Sequence, residues 1–372
     1  MNDESALLFN DDWKFLLGDP AEAEQENYCD RTWNRVDLPH DWVIHQPFDR
    51  GENGVWTKQG MQGFFFWKNT GWYRKTFCLD EIAGKDVFLY FGCAYRNAVT
   101  YINGKKAGSH SYGYTSFELC ITSHVRPGKN LVAIRLDNGA SVPDRWYSGA
   151  GLFRDVYLRV VPRLHFKPWG LGVRVVIQKD NTAEIKITAN LENTDHAGGS
   201  SVLNLALSDP QKNEIAVFKQ KFEFTVNSQI TLEHNFVIKN PQLWCSENPL
   251  LYQLSASIED GGNNPKHKKI FFGIRTIEMI AKKGFFINGK NTKLKGVCLH
   301  HDCGILGAAF YKEAWKRKLL ILKGMGCNAI RTSHNPQAEE FLDLCDELGF
   351  YVIDECFDKW KSLSYGEIFE TD

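Results

Sequence analysis

Over roughly the first 160 residues, apolar and polar positions alternate in short runs broken by turn residues, as expected of strands buried on one face. Val87-Phe88-Leu89-Tyr90-Phe91 and Ala98-Val99-Thr100-Tyr101-Ile102 read as strands, and Asn103-Gly104 supplies the two positive-φ residues that a tight hairpin requires. Leu131-Val132-Ala133-Ile134-Arg135-Leu136 and Val156-Tyr157-Leu158-Arg159-Val160 continue the series. Residues 1–162 are therefore predicted to form a jelly-roll β-sandwich. A second all-β stretch covers 163–275, where Val173-Arg174-Val175-Val176-Ile177 and Ala183-Glu184-Ile185-Lys186-Ile187-Thr188 are separated by polar turns such as Ser208-Asp209-Pro210-Gln211-Lys212-Asn213. Its length and strand density predict an immunoglobulin-like β-sandwich without the cysteine pair of antibody domains, serving as spacer and support.

After about residue 276 the pattern changes to strand, helix, strand, helix, strand. Lys293–Leu299 is the first strand, and Tyr311, Trp315, Leu319, Leu322 and Met325 then recur at helical spacing. The apolar run Asn328-Ala329-Ile330 ends in Arg331-Thr332-Ser333-His334, with Asn335 placed to cap a helix and Pro336 at its first position. Gly349 falls where a helix C-terminus needs positive φ, and Phe350-Tyr351-Val352-Ile353 runs into Asp354-Glu355. Alternating βα units with apolar strands predict a parallel sheet. A closed (β/α)8 TIM barrel needs ~250 residues, so residues 276–372 are predicted to supply its first three strands, a truncated barrel.

Composition narrows the partners. The 372 residues carry 44 Lys plus Arg against 45 Asp plus Glu, so no net field recruits nucleic acid or an anionic membrane. The N-terminus lacks the basic and long apolar regions of a secretory signal, and no run approaches a membrane span, which makes a cytoplasmic chain the expectation. Ten cysteines are scattered, and Cys78, Cys93, Cys120, Cys327 and Cys345 sit inside apolar runs, as reduced core thiols would. Eleven tryptophans serve a sandwich core or stack on sugar faces.

In βα barrels the C-terminal ends of the strands surround the active site. Those ends carry His300, His301 and Asp302, then Arg331 and His334, then Asp354, Glu355 and Asp358. Cys298-x-His300-His301-Asp302-Cys303 could be read as a metal site, but Cys298 and His300 share one strand face, His301 faces the other way, and no second cluster completes a tetrahedron. No metal or cofactor is expected. Neither a serine nor a cysteine nucleophile stands beside the histidines, so hydrogen bonding to a polar ligand fits better than a triad. Asp354 and Glu355 cannot act as a facing carboxyl pair, because neighbours on a strand point to opposite faces. The Lys312, Lys316, Arg317, Lys318 and Lys323 cluster reads as a solvated helix face, and the Lys266-His267-Lys268-Lys269 run as a hairpin; neither is given a partner.

Asn328-Ala329-Ile330-Arg331-Thr332-Ser333-His334-Asn335-Pro336, with Asp346 and Gly349, resembles the first signature of the family 2 glycoside hydrolases, except that Asn335 stands where many members have tyrosine. Leu38-Pro39-His40-Asp41-Trp42, Gly71-Trp72-Tyr73-Arg74, Arg145-Trp146-Tyr147-Ser148-Gly149-Ala150-Gly151-Leu152-Phe153-Arg154 and Phe272-Gly273-Ile274-Arg275 are similar to its recurrent segments. The resemblance implies a retaining β-glycosidase built as jelly roll, immunoglobulin-like sandwich and barrel, acting on terminal β-glycosides, with β-galactosides ahead of β-glucuronides and β-mannosides. A non-catalytic carbohydrate-binding or scaffold fragment is the alternative, disfavoured by the open apolar sheet edge it would leave. The resemblance also implies that His300 and His334 surround the sugar, Arg331 shapes the pocket, Asp144 reaches in from the jelly roll, and Asp354 contributes to substrate binding. Where some members bind magnesium after the third strand, Lys359 stands at the matching position. The family's acid/base and nucleophilic glutamates lie on later barrel strands, and the only Asn-Glu pair, Asn213-Glu214, falls in a turn of the second β-domain. The chain by itself is therefore expected to be inactive, with self-association or a complementing C-terminal polypeptide as its protein partners.

Overall fold

The computed structural model describes residues 6–46, 69–138, 146–178, 180–259 and 267–356. The first unit is a sandwich of two antiparallel sheets. One has four strands in the order Ala6–Leu8, Val156–Pro162, Lys85–Phe91, Phe117–Cys120. The other has six, Asn34–Val36, Trp13–Leu17, Thr70–Leu79, Gly128–Asp137, Ala98–Ile102 and Lys105–His110. Trp13, Tyr73, Phe91, Ile134 and Phe153 fill the space between them. Asn103 (φ 50°) and Gly104 (φ 79°) close the hairpin as their sequence demands. Two thiols depart from expectation: Cys78 and Cys120 are exposed, because strand alternation turns Cys78 outward between buried Phe77 and Leu79.

The second unit pairs a three-stranded sheet, Leu164–Ile177, Thr182–Asn193 and Ser228–Lys239, with a four-stranded one, Glu214–Phe224, Gly199–Ser208, Tyr252–Ile258 and His267–Phe272. Ile185, Leu205, Phe236 and Leu254 are among its core residues. Asn213 sits in a tight loop where its backbone and side-chain nitrogens both donate to Asp209, at 2.9 and 3.0 Å, and Glu214 beside it is exposed.

A small antiparallel sheet, Ile277–Ile280, Gly284–Ile287 and Lys290–Asn291, leads into three parallel strands, Gly296–Leu299, Ala329–Thr332 and Tyr351–Ile353. The first is shorter than the apolar run suggests. Asn328 intervenes, donating through Nδ2 to the Lys293 carbonyl (3.1 Å) and accepting the Lys295 N–H on Oδ1 (2.7 Å). Helix Lys312–Gly324 buries Trp315 and Leu319, while Tyr311 and Met325, at the ends of the stripe, are 44% and 71% exposed. Helix Glu339–Leu348 begins four residues beyond Asn335, so Asn335 and Pro336 do not start it; Gly349 ends it at φ 74°.

Both sandwiches grip this α/β unit. Trp244 donates to the Asp346 carbonyl (2.9 Å), and Trp244, Ile287, Ala329 and Tyr351 form one apolar cluster. Lys323, expected on a solvated face, instead donates to the carbonyls of Ser246 (2.9 Å) and Gly349 (2.8 Å). From the jelly roll Tyr90 and from the second sandwich Trp169 both donate to Oε1 of Glu339, at 2.8 and 2.9 Å. No helix among the described residues is long and apolar enough to cross a membrane.

Candidate functional site

The parallel register sorts the strand ends into two faces. Cys298 is level with Arg331, and Arg331 with Ile353, so two residues further along, His300 and Glu355 continue Arg331's face while Thr332 and Asp354 lie on the other. The contacts follow that division. Arg331 Nε donates to Oε1 of Glu355, and His334 Nδ1 meets Oε2 of the same carboxylate at 2.7 Å. Thr332 donates its hydroxyl to Asp354 Oδ1 (2.8 Å) and accepts the Glu355 N–H (2.9 Å), which fixes the turn after the third strand.

Glu355 bridges two cationic or polar partners, and its protonation follows from that. Partial burial pulls its pKa up, but the hydrogen bonds from His334 and Arg331 outweigh this and hold it below the ordinary glutamate value. A carboxylate at 2.7 Å selects the His334 tautomer with its proton on Nδ1. Nε2 is then an acceptor for a hydroxyl. The guanidinium of Arg331 also lies 3.5 Å from His334 Nδ1 and 3.8 Å from the Cys298 sulfur.

The jelly roll completes this wall. Trp146 lies nearly parallel to the His300 ring (centroids 5.8 Å apart, 19°) and 5.2 Å from that of His334, and the two imidazoles meet edge to face at 5.6 Å. Trp146 is itself buried, with its indole N–H donated to the Tyr114 hydroxyl (3.3 Å), so it is a backing plate for the two half-exposed imidazoles, whose edges carry the hydrogen-bonding capacity. Arg154, buried in the sandwich, donates to the carbonyls of Tyr114 (2.9 Å) and Gly92 (3.2 Å) and, with its other terminal nitrogen, to that of Pro336 (2.8 Å). Gln337 accepts the His301 Nδ1–H on its Oε1, 3.0 Å away. These anchors hold residues 333–338 as an irregular segment that bends at His334 and Asn335, and the helix expected at Pro336 starts only at Glu339.

His300, His334 and Arg331 thus come together, as their positions at strand ends suggest. Asp354 is engaged by Thr332 rather than by the histidines, and Glu355 occupies the central place. His301 is 1% exposed, wedged against Tyr114, Phe153 and Trp315, and burial holds its pKa well below the free-histidine value. Asp144, like Arg145 and Asp358, lies outside the described residues. Trp146 is the member that strand-end reasoning missed; its signals were the aromatic run Trp146-Tyr147 in a glycine-rich loop and its place in the family-like segment from Arg145 to Arg154. Among the described residues, no three His, Cys, Asp or Glu side chains cluster as metal ligands would.

The chain is similar to known proteins over nearly its whole length. The chain is 39% identical to a β-galactosidase of Bacteroides ovatus over 95% of its own length and 41% of that protein's. It is 35% identical to a putative β-glucuronidase of Formosa agariphila, covering 95% of this chain and 33% of the other. A crystal structure of a glycosyl hydrolase family 2 member from Bacteroides cellulosilyticus superposes with a TM-score of 0.88 at 36% identity, over 98% of this chain and 48% of that one. The chain therefore spans less than half the length of these relatives. Three family models match in succession: the sugar binding domain of glycosyl hydrolases family 2 over residues 9–162, the domain described simply as glycosyl hydrolases family 2 over 170–275, and the TIM barrel domain over 278–365. With all three of its units matched in that order, the chain belongs to glycosyl hydrolase family 2.

Proposed function

We propose that this chain forms the substrate-positioning wall of a retaining β-glycosidase acting on neutral terminal sugars, β-galactosides first, with His300, His334, Arg331 and Trp146 forming the sugar site and Asp144 assigned to sugar binding by the family resemblance. The observation that carries the reading is the grouping of Trp146 with His300 and His334, the last of which is bonded to Glu355 of the Arg331–Glu355 pair. The sugar's hydroxyls bond the imidazole edges, which are half-exposed, while Trp146, 6% exposed and donating its indole N–H to the Tyr114 hydroxyl (3.3 Å), backs both rings and sets their orientation. Arg331 is neutralised by Glu355, which favours a neutral galactoside over a glucuronide whose carboxylate would need an uncommitted cation. Domains at 1–162, 163–275 and 276–372 divide the labour into sugar-facing sandwich, support and barrel wall.

Retaining hydrolysis needs two carboxyl groups ~5–5.5 Å apart, one as nucleophile and one as acid/base. Glu355 is held ionised by Arg331 and His334, and Asp354 is tied to Thr332, so each acts as an anchor in this account. The chain alone then binds sugar without cleaving it, and turnover requires the rest of the barrel, as a continuation or as a complementing C-terminal polypeptide. Titration with phenyl β-galactoside and phenyl β-glucuronide, followed by ligand-observed NMR, tests the binding claim. We expect the galactoside to bind and Trp146→Ala to weaken it about tenfold or more. Preference for the glucuronide would overturn the choice of sugar, and unaltered binding by Trp146→Ala would overturn the site.

A further inference from the structure

Asp41 belongs to none of the strand ends, yet it is the most heavily bonded carboxylate in the described structure. It is 1% exposed. Its Oδ1 accepts the N–H groups of Val43 and Ala150, both at 3.0 Å, and its Oδ2 accepts the Tyr147 hydroxyl at 2.6 Å and the Ala308 N–H at 2.9 Å. All four partners are donors, so the carboxylate satisfies every one of them without a counter-cation. Two of them, Tyr147 and Ala150, lie in the stretch that carries Trp146. Ala308 lies on the segment after the first barrel strand, eight residues beyond His300. The Phe310 N–H, on the same segment, donates to the Phe153 carbonyl at 2.8 Å. The backbone around Asp41 adds to the tie, with Trp42 N–H on the Ala150 carbonyl (3.0 Å) and His40 N–H on that of Leu152 (2.8 Å).

Glycine is required where these loops converge. Gly149 has φ 65°, and a Cβ there would stand 2.5 Å from the Ala308 methyl and 2.7 Å from Asp41 Oδ2. Gly307 has φ 59°, and a Cβ there would run into the same carboxylate oxygen. The two loops approach so closely that no side chain fits at either position, and a single carboxylate fills the space between them.

We propose that Asp41 is a positioning residue, whose carboxylate ties the Trp146 loop of the jelly roll to the first βα segment of the barrel and thereby sets the indole against His300. The inference rests on reading Trp146, His300 and His334 as a sugar site, but its geometric part can be tested without sugar. Asp41→Asn keeps the shape and replaces one acceptor oxygen with an NH2 group that cannot accept from Ala308 or from Val43 and Ala150.

The experiment uses the full chain labelled with 5-fluorotryptophan, with Trp146→Phe identifying the Trp146 ¹⁹F resonance. Hydrogen exchange is followed in peptides covering 146–153 and 303–310, and phenyl β-galactoside is titrated in parallel. In Asp41→Asn we expect the Trp146 resonance to move or broaden while that of Trp244 stays, exchange in both loops to rise together, and galactoside affinity to fall about tenfold. Should Asp41→Asn fail to fold, Tyr147→Phe, which removes one donor and no charge, is expected to shift the Trp146 resonance in the same direction by less. A folded Asp41→Asn whose Trp146 resonance, loop exchange and affinity all match the parent overturns the proposal. So does a destabilised variant whose tryptophan resonances all shift alike, since that is what a general packing role would produce. If the parent binds no galactoside while Asp41→Asn still displaces Trp146, the sugar reading fails and the positioning role stands.

Discussion

Replacing Arg154 with methionine keeps the aliphatic stem and removes the guanidinium that reaches from the sandwich to the strand-end segment. Three carbonyl groups lose a donor: Gly92 at 3.2 Å, Tyr114 at 2.9 Å and Pro336 at 2.8 Å. Hydrogen bonds from a charged donor contribute ~1.5–3 kcal/mol each, and leaving a buried acceptor unpaired costs about 1–3 kcal/mol. Relief of the buried charge offsets part of that loss. A net destabilisation of about 3 kcal/mol follows, of which about 1.4 kcal/mol belongs to the Pro336 bond, the one that joins the two units. That share equals a tenfold change in a local opening equilibrium. Hydrogen exchange in a peptide spanning 332–341 is therefore expected to quicken about tenfold in Arg154→Met, more than in strands remote from Arg154. Exchange within about twofold of the parent, in a variant that is otherwise folded, would refute the idea that Arg154 fixes the His334 segment.

Other outcomes follow from the same contacts. Phe341 is fully buried and meets Trp315 edge to face at 5.2 Å, so Phe341→Ala should destabilise the α/β unit by about 3–5 kcal/mol, read as a lowered urea midpoint. A shift below about 1 kcal/mol would mean that this core is not formed. The depressed pKa of Glu355 adds stability that is complete above the unfolded glutamate value and lost as pH falls through the lower folded one; Glu355→Gln should remove that acid step from a stability-versus-pH curve. Three histidines act at higher pH. Burial brings the His40 pKa down to about 4 and depresses those of His165 and His301, so the unfolded chain takes up protons that the folded chain refuses. Stability should fall as pH drops below the unfolded histidine value of ~6.5, with His40 alone contributing ~1.4 kcal/mol of the loss by about pH 5.5. A flat profile between pH 7.5 and 5.5 would contradict the neutral burial of these rings.

The two sandwiches and the βα alternation were legible because strand alternation and helical spacing are local properties, and Asn103-Gly104 and Gly349 announce their own backbone angles. Register is not local. Whether Asp354 or Glu355 joins Arg331 depends on which residues of the second and third strands are level, and only pairing Arg331 with Ile353 decides it. Asn335-Pro336 reads as a helix start by every local rule. It fails here because Arg154, 182 positions earlier in the sequence, captures the Pro336 carbonyl. Lys323 likewise reads as solvated until the second sandwich brings Ser246 to it. Trp146 could not have been placed beside His300 from either segment alone, since their meeting depends on how the jelly roll sits on the barrel unit.

Hydrolysis of a chromogenic β-galactoside, assayed with the 372-residue chain alone and again after adding a polypeptide that carries the remaining barrel strands, tests the central claim most directly. The account expects no turnover above the uncatalysed rate from the chain alone, and activity that appears only on complementation and falls sharply with His334→Ala. Sustained turnover by the chain alone would contradict it, because Glu355 or Asp354 would then be acting as catalytic carboxyls rather than as the anchors of a sugar-binding wall.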